Sequence, residues 1–376
     1  MYGLKKNSFL LDPKKDGSVF LVRSSNAKDY VRMIKGKLAI ERSPHYVFYG
    51  LLGIGKTQLL RFIEYNLHDA SCLYVETPPL HRRSTFLELY RSILAAYGRE
   101  KVKQLLDEAL ESAGVGLESW TADHKGINLS LESTLGKDLA NVVQKGLGSW
   151  NMLWRFLNGE KLTRTEEDDL EVWNNPLGPQ DQVSVLQGLF SLHRELRRKP
   201  VILLIDEFEL TRPLVGDSLN SFTEAIRDLV GEGGPMGTVF ALTGRTIEEA
   251  PYVLTNETVR RRIGATNFIT FDEYTEEELG SFIYEVIRYR RESNFDAKEA
   301  ALKAKTKTKD SITAASYPFS EEAISLIINK VKLLKDQGLT VALRPKEAME
   351  LMDNVMSVAI LDQAPVLDSV LVKKSI

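Results

Sequence analysis

The stretch Gly50-Leu-Leu-Gly-Ile-Gly-Lys-Thr57 has the residue types and the spacing of a phosphate-binding loop. Glycines at these positions let the backbone turn its N–H groups toward phosphate oxygens. Lys56 can reach the β- and γ-phosphates, and the hydroxyl of Thr57 can bind Mg²⁺. We therefore expect this loop to bind a nucleoside triphosphate. The predicted nucleotide contacts are Gly50, Gly53, Ile54, Gly55, Lys56, Thr57 and Gln58.

Two acids follow a buried apolar run at Leu203-Leu-Ile-Asp206-Glu207. Open α/β sheets bind ligands at the carboxyl ends of their strands. Asp206 is predicted to hold Mg²⁺ together with Thr57, and Glu207 to act on the attacking water as general base. The adjacent acid, and the lack of an N-K-x-D guanine-reading motif, favour ATP hydrolysis over GTP hydrolysis. The alternative is an acidic turn after a buried strand.

Polar residues in three other places could also contact phosphate. Thr243, after the fourth predicted strand, could touch the γ-phosphate or the attacking water, or be only a strand-end residue. Arg344, at the start of the last predicted helix, could reach the phosphates from a lid, or lie in solvent. One of Arg260, Arg261 and Arg262 could act in trans on a neighbouring subunit's nucleotide, with Arg262 or Arg261 favoured. Three adjacent arginines could equally form a solvated surface.

The elements that position these residues are short apolar strands alternating with amphipathic helices. Helical spacing predicts helices at 58–67 and at 85–97, the second with Ser84 as its cap. This alternation predicts an α/β fold, in which a parallel P-loop sheet carries helices on both faces. The predicted strands are 46–49, 71–76, 200–205, 238–243 and 267–271, with a strand-like piece at 19–23.

The chain between the second and third predicted strands is too long for an ordinary crossover. Helical patterns near 99–113, 133–158 and 180–198 predict a long helical insertion over about residues 98–198. Trp150 and Trp154 are four residues apart and share a helix face. We expect them to pack in a small core of the insertion. The alternative is a platform on which bases stack.

From about residue 274 the pattern becomes all-helical. A capping box begins at Thr275, Ser320 caps a further helix, and Pro345 opens the last one. We therefore predict a nucleotide-binding domain over residues 1–273 and a C-terminal helical lid domain over residues 274–376. The lysine- and alanine-rich residues 298–309 are predicted to be a solvated helix end or loop.

Composition narrows the protein class further. The net charge of the 376 residues is −3, so no global attraction draws the chain to nucleic acid or acidic membranes. The single cysteine, Cys72, excludes an internal disulfide and fits a reducing compartment. The N-terminus lacks a signal peptide, and no apolar run approaches the length of a membrane span. We expect a cytoplasmic protein with no membrane partner.

The order of these features resembles the AAA+ ATPases, and within them the origin-recognition/initiator-like branch. The resemblance depends on residues 50–57, 203–207, 269–279 and 343–348. It implies Walker A at Gly50 to Thr57, Walker B at Asp206 and Glu207, sensor 2 at Arg344, and an arginine finger among Arg260 to Arg262. The branch usually has asparagine as sensor 1, where this chain has Thr243. The chain ends at Ile376, soon after the lid, so we expect a stand-alone bacterial or archaeal relative that lacks a winged-helix domain.

Two functions of different classes fit the sequence. The first is a Mg²⁺-dependent ATPase switch that forms a homo-oligomer in the ATP state through nucleotide-bridged subunit interfaces. This switch would serve a DNA-linked process, such as transposition, phage defence or replication control, through a partner protein or DNA. The second is a nucleotide-gated protein-interaction and signalling scaffold, which would act as a monomer without direct DNA contact.

Overall fold

The computed structural model describes residues 2–6, 8–112, 135–172, 175, 177–231, 234 and 236–376. Its strands are β1 (His45–Gly50), β2 (Ser71–Glu76), β3 (Val201–Asp206), β4 (Met236–Thr243) and β5 (Phe268–Phe271). Its α-helices are α1 (Ser24–Ala39), α2 (Lys56–Asn66), α3 (Phe86–Tyr97), α4 (Arg99–Ser112), α5 (Lys137–Gly146), α6 (Trp150–Leu157), α7 (Arg164–Leu170), α8 (Pro179–Arg197), α9 (Gly216–Leu229), α10 (Tyr252–Thr255), α11 (Glu257–Ile263), α12 (Glu276–Arg290), α13 (Ala297–Ala304), α14 (Glu321–Asp336), α15 (Pro345–Leu361) and α16 (Ser369–Ser375). Short 3₁₀ helices lie at Leu147–Ser149, Phe208–Thr211, Ile247–Glu249 and Ala265–Asn267.

The strands form one five-stranded sheet in the order β2-β3-β4-β1-β5. β3 runs parallel to both of its neighbours, so that Asp206 lies opposite Glu76 and Val201 lies opposite Met236. β3 is buried along its whole length, as befits a central parallel strand covered on both faces. The predicted α/β fold with a parallel P-loop sheet is confirmed.

Helices cover both faces of the sheet. Val47 belongs to the main core, which also contains Phe86 of α3 and Phe190 of α8. Phe48, the next residue of β1, has its ring 4.9 Å from that of Tyr30 in α1. Successive strand residues point to opposite faces. β1 therefore packs against α1 on one face and against the core helices on the other.

The helices α4 to α8 form the predicted insertion over about residues 98–198, of which residues 113–134, 173, 174 and 176 lie outside the described residues. The expected separate small core is wrong, because Val143 and Phe156 belong to the same core as the sheet. Trp150 and Trp154 do pack together, with ring centroids 5.8 Å apart, and lie partly buried against that core. Helix α8 packs against β3 and β4 and so joins the insertion to the sheet, and its Phe190 has its ring 5.9 Å from that of Tyr97 in α3.

The predicted helix over 133–158 is interrupted. α5 ends at Gly146 and α6 begins at Trp150, with a 3₁₀ turn at Leu147–Ser149 between them. Two glycines, Gly146 and Gly148, fall at this break, and glycine is a poor helix former. The apolar periodicity continues through the break, which is why the pattern alone predicts one helix.

Two further local predictions are wrong. Residues 19–23 are coil, because the carbonyl of Val19 accepts a hydrogen bond from the side chain of Gln58 and Phe20 packs its ring 6.0 Å from that of Phe62. Packing rather than strand pairing therefore buries this apolar stretch. The cap of α3 is Thr85, which forms a capping box with Glu88, and Ser84 bonds to His81 instead.

The chain divides into two compact units. One comprises Met1–Asp29, Gly50–Phe62 and Phe271–Ile376, and the other comprises Tyr30–Tyr49 and Ile63–Thr270. The first unit buries an apolar core of helices α12, α14 and α15. It also buries an ion pair, in which Arg290 lies 3.1 Å from Asp16 and each side chain is 5% exposed. The predicted domain boundary between residues 273 and 274 stays a prediction.

No helix within the described ranges has the length and apolar character needed to cross a membrane.

We expect Gly237→Ala to lower the stability of the sheet. A Cβ at position 237 would lie 2.6 Å from the carbonyl oxygen of Pro44 and 2.7 Å from Cδ1 of Ile202, so β4 would have to shift. Such overpacking costs about 1–3 kcal/mol. The matched control is Gly36→Ala in α1, where the new Cβ meets nothing within 4 Å. This substitution should raise the free energy of unfolding by about 0.5–1 kcal/mol. Thermal unfolding measures both, and equal midpoints for the two variants would contradict the expectation.

Candidate functional site

The phosphate loop connects β1, which ends at Gly50, to α2, which begins at Lys56. Gly53 and Gly55 have φ of +80° and +107°, values that residues with a side chain rarely adopt. Gly55, the second glycine of the sequence pattern, and Gly53, which the pattern does not require, therefore stand where the backbone needs glycine. The side chain of Ile54 is fully buried, so a nucleotide contact from this residue would come from its backbone.

The first three carbonyls of the loop accept hydrogen bonds from two cationic side chains. The buried ammonium group of Lys56 donates to the carbonyl oxygens of Gly50, at 2.9 Å, and Leu51, at 2.8 Å. Arg344 donates through Nη1 to the carbonyl oxygen of Leu52, at 3.0 Å. The structure thus brings the predicted lid arginine onto the predicted phosphate loop.

Arg344 is held in this position by its own helix. It is the N-cap residue of α15, and its Nε donates to Oε2 of Glu347 at 2.9 Å while Nη2 bonds to Oε1. Both side chains are largely buried, with 11% and 9% exposure. A bidentate arginine–carboxylate pair fixes the orientation of the guanidinium plane. Glu347, which the sequence analysis missed, therefore orients Arg344 on the loop.

The side chain of Gln58 binds the N-terminal segment of the chain rather than the loop. Its amide group donates to the carbonyl oxygens of Asp16, at 2.7 Å, and Val19, at 2.6 Å, and so anchors the N-terminal segment to α2. A nucleotide contact from Gln58 would therefore have to come from its backbone N–H. Thr57 lies in the first turn of α2 and is half-buried.

In the second unit, Asp206 ends β3 and is only 3% exposed. One carboxylate oxygen accepts from the backbone N–H of Glu207 at 2.9 Å, and the other accepts from the hydroxyl of Tyr74 at 2.8 Å. Thr77 donates to the backbone carbonyl of Asp206 through both its N–H and its hydroxyl. Tyr74 and Thr77 were missed by the sequence analysis, and both come from β2 or its end.

Glu207 is exposed and has a φ of +54°, in the left-handed region that residues other than glycine seldom occupy. Desolvation, and then the negative charges of Asp206, Glu209 and Glu76, raise the pKa of Glu207 above its ordinary value. A general base works best when its pKa is close to the operating pH. Backbone strain and a raised pKa are both typical of functional sites.

The end of β4 is bound by an arginine that the sequence analysis missed. Arg212 donates through Nη2 to the carbonyl oxygens of Thr243, at 2.6 Å, and Glu249, at 2.8 Å. The side chain of Thr243 is half-buried at the strand end. Its predicted contact with phosphate or water stays a prediction.

The three adjacent arginines lie on α11. Arg260 and Arg261 are exposed, whereas Arg262 is half-buried and donates to the carbonyl of Arg227 and to Asp228, 3.4 Å away. Arg262 would have to leave these partners to act on a neighbouring subunit. The role of an arginine finger stays a prediction for all three.

The chemical types of the predicted metal ligands fit Mg²⁺. Within the described residues, no group of three or more His, Cys, Asp and Glu side chains could hold a metal ion. Mg²⁺ bound with a nucleotide needs only one or two protein ligands, because phosphates and waters supply the rest. The hydroxyl of Thr57 and the carboxylate of Asp206 are hard oxygen donors of the kind that Mg²⁺ prefers.

We expect Glu207→Gln to raise the thermal stability of the protein at about pH 8 but not at about pH 4. Because the pKa of Glu207 is higher in the folded state, the folded protein binds this proton more tightly than the unfolded chain does. Stability from this group is therefore complete below the ordinary glutamate pKa and is lost as the pH rises through the raised value. Removing the carboxylate avoids that loss. Thermal scans at both pH values test the expectation, and a gain confined to acid pH would contradict it.

Comparisons with known proteins concern the fold. No protein-family model matches this sequence, and no curated protein matches it. Drosophila ORC bound to DNA is similar at 12% identity and a TM-score of 0.45, over 95% of this chain and 61% of that chain. The Aeropyrum pernix ORC1 protein in complex with DNA is similar at 12% identity and a TM-score of 0.42, over 95% of this chain and 65% of that chain. The Thermotoga maritima RuvB Holliday junction branch migration motor is similar at 14% identity and a TM-score of 0.39, over 93% of this chain and 67% of that chain.

This chain thus spans less than two thirds of the length of the two ORC chains. At these identities and TM-scores, an assignment of function has to come from the chain's own residues. The structural neighbours are AAA+ ATPases, the family that the sequence resembles.

Proposed function

We propose that this protein binds and hydrolyses ATP with Mg²⁺ and acts as an ATP-dependent switch in a DNA-linked process. The observation that carries the proposal is the contact of Arg344 with the phosphate loop, at the carbonyl of Leu52. A loop with the Walker A pattern binds phosphate, and an arginine held on it from a lid helix makes the lid responsive to that phosphate.

The chemistry follows from the side chains that surround the loop and end β3. Lys56 would exchange the carbonyls of Gly50 and Leu51 for the β- and γ-phosphate oxygens. Thr57 and Asp206 would hold Mg²⁺, which neutralises charge on the phosphates. Tyr74 would keep the carboxylate of Asp206 oriented, since it donates to Oδ2. Glu207 would accept the proton of the attacking water.

The switch would act through the partner exchange of Arg344. A guanidinium binds phosphate bidentately, in the same geometry as it binds a carboxylate. The γ-phosphate would therefore compete with Glu347 and with the carbonyl of Leu52 for Arg344. Hydrolysis would end that competition and return Arg344 to its partners, so the position of α15 would follow the nucleotide state.

We further propose that copies of the chain assemble through the ATP site, with an arginine of α11 acting on a neighbour's nucleotide. The exposure of Arg260 and Arg261 supports this proposal. The alternative, a monomeric nucleotide-gated scaffold, is favoured by the bonds of Arg262 within its own chain. A partner protein, DNA contact and a cytoplasmic location belong to the proposal.

We expect Glu207→Gln to lower kcat for ATP hydrolysis by about 10²–10⁴-fold, the usual contribution of a general base, while ATP binding is retained. Lys56→Ala should instead weaken ATP binding itself, because it removes the cation nearest the phosphates. Phosphate release and binding of a fluorescent ATP analogue separate the two effects. Glu257→Gln, at an exposed acid of α11, is the matched control. Wild-type turnover by Glu207→Gln would show that the assignment of the base is wrong.

We expect a slowly hydrolysed ATP analogue to increase the molar mass measured by light scattering, because the nucleotide would bridge subunits. A mixture of Glu207→Gln with an Arg260→Ala/Arg261→Ala/Arg262→Ala variant should then recover part of the ATPase activity that each lacks alone. One subunit would supply the intact hydrolytic site and the other would supply the finger. A persistent monomer, together with a mixture no more active than its components, would support the scaffold instead.

A further inference from the structure

Four lysines alternate with small residues in the stretch Lys303-Ala-Lys-Thr-Lys-Thr-Lys309, which contains no acidic residue. We call this stretch the lysine strip. It begins in the last turn of α13 and continues into the turn that follows. All four lysines are exposed. Positive charge is thus concentrated here in a chain whose net charge is −3.

The backbone of the lysine strip is anchored on both sides. Ala304 at its start and Ile312 just after it are buried in a small core with Tyr317 and Val366. Within the strip, Thr306 donates to the carbonyl of Lys303 at 2.8 Å. The strip therefore lies against a packed apolar core and exposes its lysines, together with Thr306, to solvent.

Side-chain bonds also anchor the end of the strip to α16. Thr308 donates to Asp368, the N-cap of that helix, at 3.2 Å. Asp310 accepts from the hydroxyl of Ser320 at 2.9 Å and from the backbone N–H of Ser369 at 2.6 Å. These bonds place the strip beside α16, whose Lys373 interacts electrostatically with Asp310. Lys373 is exposed, so a further cation lies near the end of the strip, beside the carboxylate of Asp310.

Most of this positive charge is not neutralised by the protein. Of the four lysines, Lys303 pairs with Glu299 at 2.5 Å. Lys305, Lys307 and Lys309 form no ion pair with any described residue. Adjacent like charges repel, so such a cluster is stabilised by a partner that brings several negative charges at once.

We propose that the lysine strip binds the phosphate backbone of a nucleic acid. A nucleic acid offers a row of negative charges at close spacing, and lysines that neutralise phosphates gain binding free energy from released counterions. Lysine makes flexible, point-charge contacts, which suit binding that does not depend on base sequence. A membrane surface fits less well, because Leu302 is the one large exposed apolar side chain on α13 and such helices bind membranes through a wide apolar face.

The proposal is tested with a fluorescein-labelled DNA duplex and nucleotide-free protein, by anisotropy at salt concentrations from about 50 to about 200 mM. The variant carries Lys303→Gln, Lys305→Gln, Lys307→Gln and Lys309→Gln. The matched control makes the same change of net charge at four dispersed exposed lysines, with Lys14→Gln, Lys28→Gln, Lys101→Gln and Lys161→Gln.

We expect the strip variant to bind DNA at least about tenfold more weakly than the wild type at the lower salt concentration. Its slope of log K against log salt should be shallower by about 0.9 for each phosphate that the variant no longer neutralises. The control should bind like the wild type.

Two outcomes would overturn the proposal. Equal affinity and equal salt slope for the strip variant and the control would show that the strip does not contact DNA. Strip-dependent binding to vesicles of acidic lipid, with no binding of DNA or of single-stranded RNA of the same length, would assign the strip to a membrane surface. The proposal deepens the DNA-linked function above. Because anisotropy is measured without nucleotide and ATPase activity is assayed separately, failure of DNA binding and failure of ATP hydrolysis are distinguishable.

Discussion

The carbonyl groups of the phosphate loop are the constraint on which the rest of the site depends. A loop that runs from a buried strand directly into a helix leaves Gly50, Leu51 and Leu52 with carbonyls that the helix cannot bond. Backbone carbonyls are strong acceptors, and the buried carbonyl of Gly50 in particular needs a partner. Lys56 supplies two of the hydrogen bonds from within the loop, and Arg344 supplies the third from α15. The conformation of the loop is therefore linked to where α15 begins.

This link explains why the start of α15 is built rigidly. Pro345 occupies the first helical position and Glu347 pairs with Arg344 three residues back along the chain. Proline fixes φ at that position, and the carboxylate fixes the guanidinium. Any ligand that displaces Arg344 or Lys56 from the loop has to offer oxygens at least as attractive as these carbonyls. Phosphate oxygens meet this requirement, because their negative charge strengthens the hydrogen bonds that they accept from an ammonium or a guanidinium group.

At the end of β3 the constraint is an excess of negative charge. Asp206 is nearly fully buried, and the chain turns through a left-handed residue at Glu207 directly after it. The protein satisfies both oxygens of Asp206 with N–H and O–H donors, but it supplies no cation there among the hydrogen bonds described. Desolvation, and then the nearby carboxylates, raise the pKa of Glu207. A bound cation would relieve this repulsion, so the carboxylates at this strand end favour the binding of a cation.

The sequence predicts the local features of this fold and misses those that depend on distant pairing. The loop pattern, the buried strands and the proline at position 345 are each encoded within a few residues. The bond from Tyr74 to Asp206 requires β2 to lie beside β3 in one register, although a long insertion separates the two strands. The bond from Arg212 to Thr243 likewise depends on how β4 ends. Boundary errors, such as Thr85 rather than Ser84 as the cap of α3, come from neighbouring residues that are almost equally good caps.

The lysine strip shows why a net charge is a poor guide to a protein's partners. At physiological ionic strength charges are screened over about 8 Å. A phosphate close to Lys305, Lys307 and Lys309 therefore responds to these cations and to the adjacent Asp310 and Asp368, and hardly to the acids farther away. The strip is bonded to α16, and α16 packs against α14 and α15 in the same compact unit. A movement of α15 that followed Arg344 would therefore be transmitted to the strip, which would couple the proposed ATP site to the proposed nucleic-acid surface.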